Sequence, residues 1–170
     1  QAFRNSVRMK DGELLNRYWD ESDKPREESF KKDVNAAKLT KQKEGDFYRN
    51  IRAAAESGWD FSTRWMDTTG KLETIQTTFI IPVDLNCLLY HLELSIAKSY
   101  QLQGNGAQYR IYLTKASVRK KAILKYSWSE KHGWFMDYNW KEGHITPNET
   151  LAGAFPLNFK IATAQQAAKA

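Results

Sequence analysis

Cysteine and long apolar runs are both scarce in this chain. Cys87 is the only cysteine among 170 residues, so no disulfide can form within the chain and no thiolate cluster is available for a metal. The most apolar segment, residues 85–96, is interrupted by polar residues and is shorter than the roughly 20 apolar residues that span a bilayer. A disulfide scaffold is therefore excluded, and we expect no membrane partner.

Histidine is also sparse, and the sites that usually depend on it are not indicated. His91, His132 and His144 do not have the spacing of metal ligands. The chain also lacks a phosphate-binding glycine loop and the glycine-flanked serine of a nucleophile elbow. We therefore expect neither a metal nor a cofactor.

Composition and charge indicate a globular protein. Hydrophobic residues make up 41% and charged residues 27% of the chain, which argues against disorder as the main state. The net charge is only +6, and the densest basic run, residues 115–125, alternates with apolar residues. That pattern is typical of a solvated helix face, so we predict no nucleic-acid partner.

Two consecutive helices give the clearest structural signal. Apolar residues recur at helical spacing from residue 82 or 84 to the glycines at 104 and 106. A second apolar stripe predicts a helix over 107–126. The loop 103–106 would join these helices as an antiparallel pair.

Shorter helices are predicted on both sides of this pair. One covers 46–57 and ends at Gly58, where a left-handed residue is expected. An earlier helix covers 28 to about 39. Residues 128–138 indicate an aromatic loop or a short hairpin. Helical character over 148–155 is expected to break at Pro156 and to resume in the alanine-rich tail.

Helical pairs of this kind predict an all-α fold, in which the hairpins stack into a superhelix or close into a toroid. No sequence repeat of about 34 or 40 residues is present, so the toroid is favoured. A toroid of six hairpins needs about twelve helices of roughly a dozen residues, plus loops. That exceeds this chain, so we expect an excerpt from a longer protein with the toroid incomplete.

Aromatic residues concentrate in the predicted loops. Indole rings stack on the apolar face of a sugar, although core packing uses the same residues and is favoured for any single tryptophan. As a group beside carboxylates, they make a sugar site more credible. The tryptophans concerned are Trp59, Trp65, Trp128, Trp134 and Trp140.

Asp60 is the leading catalytic candidate, because it follows the predicted helix end and lies between Trp59 and Phe61. A glycosidase needs one carboxylic acid to protonate the leaving oxygen and a second carboxylate as base or nucleophile. Burial between the two rings would raise the pKa of Asp60 and keep it protonated. The alternative is an ion pair with Arg64, four residues on, that merely anchors the loop.

Arg26 and Glu28 form a second candidate pair. An arginine fork and a carboxylate acceptor often fix the orientation of sugar hydroxyls. The alternative is a helix N-terminus at which acidic residues are favoured by the helix dipole. From these residues alone the helix N-terminus is the better interpretation.

Several segments together resemble the trehalases of glycoside hydrolase family 37, in order and in approximate spacing. The resemblance covers nearly the whole chain, so residues 1–170 would be part of a trehalase catalytic domain without its N-terminal and C-terminal parts. The matching segments are residues 14–20 (LLNRYWD), 25–29 (PREES), 57–65 (SGWDFSTRW), 81–86 (IPVDLN), 133–138 (GWFMDY) and 154–157 (AFPL).

The resemblance implies an (α/α)6 toroid that hydrolyses α,α-trehalose to two glucose molecules with inversion and without a metal. Asp60 would be the general acid, while Arg26, Glu28 and the backbone near Gly58 would bind the substrate. It also favours a periplasmic or secreted location. One departure is Glu27, where the family usually has proline, and a looser turn there would shift Arg26.

Other family motifs are missing, and the alternatives follow from that. The N-terminal proline-glycine-glycine-arginine motif, the glutamine-tryptophan-aspartate motif and the glycine-rich glutamate segment do not occur in this chain. The family's catalytic base lies beyond the matched region, so no residue here is assigned to it. The alternatives are an (α/α)6 α-glucosidase of different substrate and a non-catalytic helical module that binds sugar or protein.

Overall fold

The computed structural model describes residues 1–170, which are mostly helical with three small antiparallel sheets. No helix in it combines the length and the apolar character needed to cross a membrane. The α-helices are α1 (Phe30–Ala37), α2 (Glu44–Glu56), α3 (Val83–Leu102), α4 (Gly106–Ser127), α5 (Phe155–Asn158) and α6 (Ala164–Lys169). The strands are β1 (Ala2–Phe3), β2 (Ser6–Arg8), β3 (Leu14–Asn16), β4 (Ile80–Ile81), β5 (Trp128–Ser129), β6 (Trp134–Phe135), β7 (Tyr138–Asn139) and β8 (His144–Ile145).

Helices α3 and α4 form the predicted antiparallel pair. Asn105 caps α4, because its side chain accepts a hydrogen bond from the backbone N–H of Gln108 at 3.1 Å. Gly104 has a φ of +71°, the left-handed conformation in which glycine commonly ends a helix. Ala97 and Ala116 are buried, and small side chains of this kind allow the two helices to approach closely.

The prediction of an all-α fold missed the three sheets. The N-terminal sheet has the order β1-β2-β3, and its register pairs Val7 with Leu15. Both side chains are buried against Ala122 and Tyr126 of α4, while their strand neighbours Arg8 and Leu14 are exposed. This period of two is the usual pattern for a sheet with one buried face.

The other two sheets are small. Strands β5 and β6 form a hairpin within the segment for which a loop or hairpin was predicted. The third sheet has the order β4-β7-β8 and joins the chain before α3 to the segment after that hairpin. It therefore connects two regions that are far apart in sequence.

Two predicted helices have different boundaries. The helix expected over 28–39 begins as a 3-10 turn, Glu27–Ser29, and continues as α1. The helical segment expected over 148–155 is a 3-10 helix, Leu151–Ala154, followed by α5. Pro156 lies in the first turn of α5 and does not break it, because a first-turn residue needs no N–H partner within the helix.

The buried side chains form three clusters. The first cluster lies between α2 and the loop that follows it, the second lies between the N-terminal sheet and α4, and the third lies between α3, α4, β6 and the C-terminal segment. Their members include Phe47, Ile51 and Trp65 in the first, Val7, Leu15 and Tyr126 in the second, and Ile123, Phe135 and Ile161 in the third.

Asn86 joins the N-terminal sheet to the helical pair. Its amide donates to the carbonyl of Asn16 and accepts from the N–H of Asn16, both at 2.9 Å, as a paired strand would. The same side chain accepts from Arg119 of α4 at 3.0 Å. Because Asn86 is only 1% exposed, water cannot replace these bonds.

Asn86→Ala should therefore lower the free energy of unfolding by about 3 kcal/mol, because it leaves the part-buried N–H and carbonyl of Asn16 without partners. The measurement is urea unfolding of the parent protein, meaning the gene product that contains this chain. Asn35→Ala is the matched control, since Asn35 is exposed, and its expected effect is below about 0.5 kcal/mol. Equal unfolding midpoints for the two variants would contradict this role of Asn86.

Candidate active site

The candidate acid lies on a tightly bonded loop after α2. The backbone N–H of Ser57 donates to the carbonyl of Ala54, which closes the last turn of the helix. Gly58 then turns the chain with a φ of +71°. An added Cβ at Gly58 would meet nothing within 4 Å, so glycine is needed here for its backbone conformation and not for space. The predicted left-handed end at Gly58 is confirmed.

Hydrogen bonds within the loop hold Trp59 in place. The hydroxyl of Ser57 accepts from the N–H of Trp59 at 2.9 Å. The carbonyl of Trp59 accepts from the N–H of Ser62 at 2.8 Å and from the indole N–H of Trp65 at 3.0 Å. Since Trp65 is completely buried in the first cluster, the loop is fastened to the core on each side of Asp60.

Arg64 ties this loop to the rest of the chain. Its guanidinium donates to both carboxylate oxygens of Asp84, at 2.7 and 3.0 Å, and to both of Asp137, at 2.7 and 2.9 Å. Asp84 lies in the first turn of α3, and Asp137 lies between β6 and β7. All three side chains are buried. Asp137 also accepts from the N–H of Val83 at 2.9 Å.

The two carboxylates compensate for the burial of the charge on Arg64. Burial disfavours the guanidinium charge, but Asp137 and Asp84 outweigh that penalty and hold the pKa of Arg64 above its usual value. The guanidinium also lies over the rings of Trp59 and Trp65, at 4.9 and 4.4 Å from their centroids. Arg64 is therefore a buried cation that holds Trp59, the residue before Asp60.

Asp60 itself is exposed, so the prediction that it is buried between two rings is wrong. The two flanking rings turn away from it: Trp59 packs against the core, and Phe61 lies beneath Arg26. The alternative ion pair with Arg64 is also wrong, because Asp84 and Asp137 occupy that guanidinium. Asp60 is left as an accessible carboxylate on a fixed loop.

Arg26 is held by a residue that the sequence analysis did not single out. Its Nε and Nη2 donate to the carboxylate of Asp33 at 3.0 and 2.8 Å, and its backbone N–H donates to the same group at 3.0 Å. The guanidinium lies 4.7 Å from the centroid of Phe61. The only sequence signal for Asp33 was an acidic residue near the start of the predicted helix, seven residues after Arg26.

Arg26 lies beside Glu28 and against the loop that carries Asp60. Nη1 of Arg26 is 3.8 Å from the carboxylate of Glu28, whose side chain is exposed. Asp33 chiefly raises the pKa of Arg26 against the effect of burial, and the charges of Glu28 and Asp60 add to the increase. Glu28 also lies in the first turn of a 3-10 helix, so the helix-terminus interpretation describes its backbone setting correctly.

The other loop tryptophans have packing partners. Trp65 is buried, and Trp128 packs on Phe135 with ring centroids 4.8 Å apart. The indole N–H of Trp134 donates to a backbone carbonyl, as does that of Trp140, each at 3.0 Å. These contacts agree with the expectation that packing is the usual role of a single tryptophan. No three His, Cys, Asp or Glu side chains are grouped so that they could hold a metal ion.

Arg64→Met should cost more stability than Asp137→Asn. Removing Arg64 leaves two buried carboxylates facing each other, and breaking a buried ion pair typically costs about 3–5 kcal/mol. Asp137→Asn instead leaves a neutral pair of Arg64 and Asp84. Urea unfolding of the parent protein measures both changes.

The same network offers a matched rescue. Adding Asp84→Asn and Asp137→Asn to the Arg64→Met variant removes the repulsion and should recover part of the lost stability. If Asp137→Asn were as destabilising as Arg64→Met, charge repulsion would not be the reason that Arg64 is needed.

Known proteins resemble this chain along its whole length. The sequence pattern of the trehalase family matches residues 1–170. Two similar proteins are the periplasmic trehalases of Salmonella newport and Escherichia coli, which are 45% and 42% identical over 170 residues. Each alignment covers 99% of this chain, which spans 30% of the length of either relative.

A solved structure is similar as well. The neutral trehalase of Saccharomyces cerevisiae is 28% identical, with a TM-score of 0.63, over 84% of this chain and 26% of that protein. The two bacterial trehalases and the yeast structure thus agree with the family pattern. Because that pattern extends over every residue, the chain belongs to the trehalase family.

Proposed function

We propose that the parent protein hydrolyses α,α-trehalose to two glucose molecules, and that residues 1–170 are part of its catalytic domain, an (α/α)6 toroid. Membership of the trehalase family supports the substrate. The grouping of two exposed carboxylates, Asp60 and Glu28, around the largely buried Arg26 supports the site. This grouping carries the proposal, because it brings an acid, a hydrogen-bond donor and an acceptor to one place.

In this proposal Asp60 is the general acid. It gives its proton to the glycosidic oxygen as the bond to the anomeric carbon breaks, and a water molecule attacks that carbon from the opposite face. A carboxylate outside this chain takes the proton from the water. The bound disaccharide covers Asp60 and excludes water from it. In the chain alone, Asp60 is exposed to water.

Arg26 and Glu28 orient the sugar. A hydroxyl group both donates and accepts, so one hydroxyl can accept from Nη1 of Arg26 and donate to the carboxylate of Glu28. The 3.8 Å separation of these groups leaves each free for such a bond, since it exceeds hydrogen-bonding distance. Gly58 contributes its exposed backbone at the edge of the same loop.

The names of the bacterial relatives support a location. Those proteins are called periplasmic trehalases, so we extend the proposal to a periplasmic or secreted parent protein. Cell fractionation with the activity assay tests this part separately.

Asp60→Asn in the parent protein should lower kcat for trehalose by about 10²–10⁴-fold, the usual contribution of a general acid. The same variant should lose far less activity on α-glucosyl fluoride, because fluoride leaves without protonation. Asp46→Asn is the control. Its exposed carboxylate lies in the first turn of α2, a helix about 20 Å long that ends near Asp60. Near wild-type trehalose turnover by Asp60→Asn would refute the assignment.

The released sugars test the stereochemistry. With inversion, the attacked glucose leaves as the β-anomer and the other remains α, so early NMR spectra should show equal amounts of both. Retention would give only α-glucose. Hydrolysis of maltose but not trehalose would favour an α-glucosidase, and calorimetric binding of trehalose without hydrolysis would favour a non-catalytic module.

A further inference from the structure

We propose that Asp33 is a positioning residue of this site, which acts on the substrate only through Arg26. The inference rests on the proposed function, in which Arg26 binds a sugar hydroxyl. Asp33 lies in the first turn of α1, outside all of the segments that resemble the family.

Asp33 binds two different parts of Arg26. One oxygen accepts from the backbone N–H and from Nε, each at 3.0 Å, and the other accepts from Nη2 at 2.8 Å. The side-chain hydrogen bonds of Asp33 all come from Arg26. Because Asp33 is only 2% exposed, water does not compete for its oxygens.

The consequence is a single orientation of the guanidinium. Asp33 occupies the edge formed by Nε and Nη2, and Phe61 covers one face of the plane. Nη1 is left on the side of Glu28, at 3.8 Å. A free arginine side chain has many rotamers, and fixing them before the substrate binds removes that entropic cost from binding.

Phe61 links this orientation to the acid. It is the residue next to Asp60, so the loop that presents the acid also supports the plane of Arg26. A shift of Arg26 would therefore change its place relative to both Glu28 and Asp60. Displacements of about 1 Å in a substrate-positioning group are enough to reduce turnover strongly.

A double-mutant cycle in the parent protein tests the proposal, with kcat/KM for trehalose as the measurement. Asp33→Asn should lower kcat/KM by about 10- to 100-fold, because the neutral amide cannot accept from the whole edge. Arg26→Gln should lower it at least as much. The double variant should be no worse than Arg26→Gln, since Asp33 has nothing left to position.

Each other outcome has a distinct meaning. If the two losses multiply in the double variant, or if Asp33→Asn keeps kcat/KM within twofold of wild type, the role of Asp33 is wrong while the function stands. If Arg26→Gln itself has no effect, the proposed role of Arg26 fails, and the inference about Asp33 fails with it.

Two further variants separate positioning from folding. Glu93→Gln weakens a comparable arginine pair, with Arg119 between α3 and α4, and should leave kcat/KM unchanged. Asp33→Glu keeps the charge that binds Arg26 but moves the carboxylate by one methylene, and should lower kcat/KM about tenfold. Wild-type kcat/KM for Asp33→Glu would overturn the proposal even if Asp33→Asn did not fold.

Discussion

The ion network of Arg64 is the interaction on which the site depends. It joins the loop after α2 to the first turn of α3 and to the link between β6 and β7. Asp84 and Asp137, which lie in those two segments, are 20 and 73 residues from Arg64 in sequence. One buried guanidinium is paired with two buried carboxylates. Loss of the guanidinium would leave two buried charges without their partner. Because the same guanidinium lies over Trp59 and Trp65, the network also holds Trp59, the residue before Asp60.

The allocation of carboxylates to arginines explains which acids are available for chemistry. Asp84 and Asp137 bind Arg64, and Asp33 binds the backbone N–H and one guanidinium edge of Arg26. All three of these acids are buried. Glu28 and Asp60 have no such partner and are exposed. The buried acids are therefore suited to holding arginines in place, while the exposed pair can exchange hydrogen bonds and protons with a ligand.

Local signals in the sequence were enough for the long helices and for Gly58, because periodicity and a left-handed helix end are properties of neighbouring residues. Strands of two or three residues have too few positions to show a period, so β1 and β4 were not predicted. The burial of Asp60 was predicted wrongly for a related reason. Sequence neighbours need not pack on each other, and Trp59 and Phe61 pack elsewhere.

The backbone of Arg26 shows how this chain manages without the proline that the family usually has after that residue. A residue before proline is restricted to extended backbone with ψ near +120° to +160°. Arg26 has a φ of −69° and a ψ of 141° although Glu27 follows it. Asp33 accepts hydrogen bonds from both the N–H and the guanidinium of Arg26. These bonds hold Arg26 in the extended conformation that a following proline ring would otherwise impose. The carboxylate of Asp33 therefore opposes the shift of Arg26 that we expect at a turn without proline, and it also orients the guanidinium.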